Sequence, residues 1–119
     1  MTVRECYERI GGDYDTAVAR FKNEATLVRF LKMFPSDKSM SLLHTGIEIG
    51  NLSLSFRSVH SLKGVAANLS FTDLQEKASA LTEQLRYRTA EPDEKLLEAL
   101  EQSYRLVLDT IEELKAERA

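Results

Sequence analysis

The sequence predicts an all-α protein, an up-and-down antiparallel four-helix bundle with a short N-terminal helical extension. Three observations carry that expectation. Apolar residues recur three and four positions apart along almost the whole chain, which is the period of one helix face. No stretch alternates apolar and polar residues as a half-buried strand would. Turn-forming clusters (GGD at Gly11–Asp13, Pro35, Gly50-Asn51, and TAEPDE from Thr89 to Glu94) cut the pattern into helix-length pieces.

Taken in order, Met1 to Ile10 forms a short amphipathic helix through Val3, Tyr7 and Ile10. GGD ends it, and Asp13 caps a second segment near Tyr14 to Phe21. Leu27, Phe30, Leu31 and Phe34 make an apolar stripe that stops at Pro35. Ser36 or Asp37 caps the next helix, whose Met40, Leu43 and Ile47 face inward until Gly50-Asn51. A helix from about Leu52 to Leu69 follows. Phe71, Leu74, Ala78, Leu81 and Leu85 mark another, entered through a capping box of Thr72 and Gln75. Pro92 stands near the first turn of the last helix. There Leu97, Leu100, Tyr104, Val107, Ile111 and Leu114 form a seam suited to antiparallel packing. Residues 1–35 read as extension and cover and about 36–117 as the bundle, in one domain spanning 1–119 without repeats or low-complexity stretches.

Composition narrows the functions. At 119 residues the chain can bury a real core, and with 43% apolar and 29% charged residues it is not expected to be disordered. A net charge of −3 argues against nucleic acid or an anionic membrane as partner. No apolar run approaches the roughly 18 residues of a membrane span, and MTVRECYERI lacks a signal peptide's apolar region. Cys6 is the one cysteine, so no intramolecular disulfide forms, and a cytoplasmic location is expected. It is read as a small apolar contact. His44 and His60 have no cysteine or histidine at ligand spacing, so neither a metal site nor a cofactor is expected. IGG and GIEIG lack the lysine and spacing of a phosphate-binding loop and read as turns. Arg86 and Arg88 are assigned to complementing a helix dipole, and Glu112, Glu113 and Glu117 to a solvated face.

The segment SVHSLKGVAANLS, Ser58 to Ser70, raises a question, because it places Gly64 inside a helix. Glycine there costs about 1 kcal/mol relative to alanine. With His60 at zero and 100° per residue, Val59, Leu62, Ala66 and Leu69 fall at roughly 260°, 200°, 240° and 180°. The core therefore lies behind the histidine. Arg57, Lys63, Gly64 and Ala67 gather within about 60° of it, and Phe56 leans to its side at roughly −40°. His60 points to water with a cation one turn on and a glycine clearing the surface beside it. A neutral imidazole nitrogen is a nucleophile. Lys63 could neutralise a phosphoryl group carried by the ring, and Gly64 would let another protein approach closely. His44, by contrast, reads as a solvated or core residue without a task.

HSLKG, His60 to Gly64, resembles the signature of histidine-containing phosphotransfer (HPt) domains. IGGDYDTAVARF resembles the leader of bacterial members, SFRSVHSLKGVAANLSF the phosphorylated helix, and LQEKASALTEQLR the helix packed beside it. The resemblance implies a four-helix bundle in a two-component phosphorelay. His60 would accept a phosphoryl group at Nε2 from a receiver-domain aspartate and pass it to another receiver. Lys63 would stabilise the phosphoryl group, and Gly64 would give the receiver access. Phe56, Arg57, Ser61, Ala67 and Asn68 would form the docking surface. Partners would be response-regulator receiver domains, among them that of a hybrid histidine kinase, and the chain would be a monomer. It would be a phosphocarrier rather than an enzyme, Mg²⁺ and most catalytic groups belonging to the receiver. One residue departs from the family pattern. Ser70 stands where a glycine usually follows the leucine closing this helix; a left-handed residue other than glycine costs roughly 1 kcal/mol, so a turn rebuilt with Ser70 or Thr72 as a cap is expected. Three other readings remain: an HPt-like module that docks receivers without carrying phosphate, a plain helical adaptor, and a hydrolase. The last lacks an orienting carboxylate and a nucleophilic partner near the exposed histidine.

Overall fold

The computed structural model describes residues 1–118, which are helical throughout apart from short connections. Among them lie seven α-helices: α1 (Val3–Ile10), α2 (Tyr14–Phe21), α3 (Glu24–Met33), α4 (Ser39–Glu48), α5 (Leu52–Asn68), α6 (Thr72–Gln84) and α7 (Glu94–Glu117). A 3₁₀ turn, Phe34–Ser36, joins α3 to α4. Consecutive helices α4 to α7 pack on one another, and α1 lies against α7.

Local chemistry sets most of the boundaries. Thr2 and Glu5 form a reciprocal capping box on α1, and Gly11 ends that helix in the left-handed conformation (φ 69°). Asp13, Asn23, Asn51 and Asp93 cap α2, α3, α5 and α7 by accepting from backbone N–H groups. At α4 neither Ser36 nor Asp37 holds the cap position, which is Lys38 without a side-chain bond; the Asp37 carboxylate, one residue before it, accepts from the Ser39 N–H at 2.9 Å. α3 ends at Met33, and Pro35 sits in the first turn of the 3₁₀ segment that follows, where its missing N–H is no loss. Two further expectations change. Phe30 is not in the core; it is 40% exposed and stacks on Phe21, with centroids 4.7 Å apart. The Thr72–Gln75 capping box does not form. Thr72 lies inside α6, and the Asp73 N–H instead donates to the Gly11 carbonyl of the α1–α2 turn at 3.1 Å.

The core runs along the inner faces of α4 to α7, through Leu43, Val59, Leu62, Leu74, Leu81 and Leu100. Burial of such side chains contributes roughly 1.5–3 kcal/mol each. Phe71, fully buried, gathers Tyr7 and Phe34 at centroid distances of 5.8 and 5.2 Å, so the N-terminal segments share one core with α4 to α7. Glu112, Glu113 and Glu117 are exposed, yet Glu113 pairs with Arg9 and Glu117 with the N-terminal amine, which ties α1 to α7. Gly46 is buried where α4 meets α5, and a Cβ there would lie 2.7 Å from Ser55 Oγ and 2.8 Å from its backbone nitrogen.

The α5–α6 turn is not rebuilt with Ser70 or Thr72 as a cap; it keeps a left-handed geometry without glycine, Ser70 having φ 57°. The N-terminal segments hold it there. Tyr7 donates its hydroxyl proton to the Leu69 carbonyl at 2.8 Å, and burial pushes that phenol far above its usual range. Arg20 donates to the Ala67 and Asn68 carbonyls and to Ser70 Oγ, and Asp13 N–H donates to the Ser70 carbonyl. Tertiary hydrogen bonds stabilise what the turn residue alone disfavours.

Candidate functional site

α5 presents two faces. Val59, Leu62 and Ala66 are wholly buried, whereas His60, Arg57, Ser61, Gly64 and Asn68 are exposed. The wheel reading therefore agrees with the placement of His60. Among the described residues no side chain hydrogen-bonds either of its ring nitrogens; its contact is a stack on Phe56, centroids 5.9 Å apart and planes 18° from parallel. Such a ring offers a lone pair to a partner arriving from solvent.

The neighbours fall into two groups. Lys63 and Gly64 sit one turn beyond His60, and a Cβ built on Gly64 would meet nothing within 4 Å. Lys63 is half-buried and close enough to Glu83 on α6 to act on it electrostatically. Arg86 does more: its hydrogen bonds to Glu83, one of 2.9 Å from Nε, hold that carboxyl below the usual range, with Lys63 adding to the effect. Ser61, Gly64, Val65 and Asn68 line one wall of an open groove of about 580 Å³. Exposed Phe30 and Met33 of α3 line the opposite wall. The other expected contact residues are less free. Arg57 Nε donates back to the Ser53 carbonyl at 3.3 Å, Ser61 Oγ accepts from Ser39 Oγ at 3.2 Å, and half-buried Ala67 gives its carbonyl to Arg20.

Two arginines were assigned to a helix dipole, and neither serves it alone. Arg86 pairs with Glu83. Arg88, beyond the end of α6 with φ 53°, lays its guanidinium 4.2 Å from the centroid of Phe56, the ring that His60 stacks on. Sequence reasoning missed this residue. His44, the other histidine, stands on α4 with Nε2 3.2 Å from Glu101 Oε2 of α7, a contact between helices.

A family model described as the Hpt domain matches residues 30–117. That span holds α4 to α7 and only the last turn of α3, and it omits α1, α2 and the IGGDYDTAVARF segment. Comparisons with curated proteins and with solved structures give no match. No helix is long and apolar enough to cross a membrane, among the described residues.

Proposed function

The chain belongs to the Hpt domain family, and from that membership we propose that it is a phosphorelay intermediate whose phosphoryl acceptor is His60. Hpt domains carry phosphoryl groups in phosphorelays and interact with receiver domains of response regulators. The observation that carries the assignment to His60 is its exposure in mid-α5, with Lys63 and the open surface of Gly64 one turn away. In the proposed step the Nε2 lone pair forms an N–P bond as the P–O bond of a receiver's acyl phosphate breaks. The electron pair leaves with the aspartate carboxylate, and the Nδ1 proton passes to water. Return transfer to a second receiver reverses these events. Lys63 offsets charge on the phosphoryl oxygens. Gly64 leaves space for the receiver, and Phe56, Arg57, Ser61, Ala67 and Asn68 frame the contact surface. The metal ion and the remaining catalytic groups belong to the receiver. The reading takes α4 to α7 as an up-and-down bundle, α1 to α3 as its cover, and the whole chain as one monomeric cytoplasmic domain.

A second reading is a module that docks receivers without accepting phosphate. The two separate on incubation with a phosphorylated receiver. Acid-labile label should appear on the wild-type chain and on His44→Gln, and should be absent from His60→Gln, whose thermal stability should change by only a few tenths of a kcal/mol. Label persisting on His60→Gln would defeat the assignment. Docking without label on the wild type would favour the second reading.

A further inference from the structure

An imidazole that reacts through one nitrogen must present that nitrogen in line with the phosphorus, and near-attack geometry is a large part of such a reaction's barrier. Exposed side chains change rotamer in picoseconds to nanoseconds unless something restrains them. In many sites a hydrogen bond to the second ring nitrogen does so. His60 has no such bond among the described residues, and its ring touches Phe56 instead. Phe56 is itself only half-buried and on the same helix, so it needs a restraint of its own.

Arg88 supplies one. Its guanidinium carbon stands 4.2 Å from the Phe56 centroid, within the range of a cation–π contact. The contact is built from two directions. The backbone of Arg88 takes a left-handed conformation that favours glycine, and its N–H donates to the Leu85 carbonyl at 3.0 Å. Its Nη1 donates to the Arg86 carbonyl at 3.0 Å, which fixes the plane of the guanidinium. Arg88 forms no ion pair among the described residues, so no carboxylate competes with the ring. We propose that Arg88 is a positioning residue, a cap on Phe56 that keeps this ring stacked on His60 and so orients the imidazole for phosphoryl transfer. The inference rests on His60 being the acceptor.

A double-mutant cycle with a small donor tests it, because phosphoramidate needs no receiver docking. Rates of His60 phosphorylation are measured for wild type, Arg88→Gln, Phe56→Leu and the double variant, with ¹H chemical shifts of the His60 ring read on each. Arg88→Gln should slow phosphorylation about two- to fivefold, the worth of an exposed cation–π contact. It should also shift the His60 ring protons toward their positions in Phe56→Leu, where the ring current is gone. The double variant should be no slower than Phe56→Leu alone, since Arg88 acts through that ring. Multiplying effects would mean that the guanidinium acts on the phosphoryl group directly, and unchanged ring shifts in Arg88→Gln would mean that it orients nothing; either overturns the inference. Absence of label on His60 in the wild type would instead overturn the acceptor assignment, and the ring shifts would still decide whether the cap exists.

Discussion

Gly46 and Gly64 both occupy helix interiors, the position where glycine is least favourable among residues other than proline. Their surroundings are opposite. At Gly46 a Cβ would lie under 3 Å from the backbone and side chain of Ser55, so the crossing of α4 and α5 requires a residue without one. At Gly64 a Cβ would meet nothing within 4 Å. One glycine is explained inside the molecule, and the other is not. An unfavourable residue that no internal contact demands points outward, and Gly64 adjoins the one exposed histidine of α5.

The largest expected effect lies at Gly46. Gly46→Ala should lower stability by about 2 kcal/mol through overpacking against Ser55, read from the midpoint of urea unfolding. An unchanged midpoint would remove the contrast between the two positions. Gly64→Gln comes next. It should leave the fold intact and slow transfer from a phosphorylated receiver at least about tenfold, which corresponds to 1.4 kcal/mol. Transfer from phosphoramidate should fall far less. Equal loss from both donors in a folded variant would mean that Gly64 acts on the imidazole rather than on access. Gly64→Ala should then stabilise the free domain by up to about 1 kcal/mol, because alanine loses less backbone entropy in a helix. A destabilised Gly64→Ala would show that an internal contact had been overlooked.

Lys63→Ala should have the smallest effect. A partly exposed cation beside a phosphoryl group is worth about 1 kcal/mol or less, so transfer should slow, or the phosphohistidine should decay faster, by no more than about fivefold. Measured lifetimes of the phosphorylated chain decide this. Complete loss would give the lysine a larger task than charge compensation, and no change would leave it a solvated surface cation.

What could be read from the sequence follows the range of the forces involved. Helices ended where local residues end them: Asp13 caps α2, and Gly50-Asn51 separates α4 from α5. The outward face of α5 followed from the helical period alone, since seventeen residues give the wheel enough turns to separate Val59, Leu62 and Ala66 from His60. Long-range contacts were not legible. Thr72 and Gln75 have the spacing of a capping box, but the turn at Gly11 supplies the acceptor and the box is not made. Phe30 fits an inward stripe by period, yet it lies at the surface against Phe21. Ser70 looked like a defect in a turn that favours glycine, and its support from Arg20 lies fifty residues away. Arg88 was invisible for the same reason, its partner Phe56 being on another helix.

The acceptor atom itself can be observed. After phosphorylation by a receiver, a ¹H–³¹P correlation spectrum of the intact protein should contain one phosphoramidate signal, coupled to the ring protons of His60 in the pattern of an Nε2 adduct. The His44 ring protons should show no coupling to phosphorus. A signal on His44, on His60 Nδ1, or on any carboxylate would contradict the assignment on which the readings of Lys63, Gly64 and Arg88 depend.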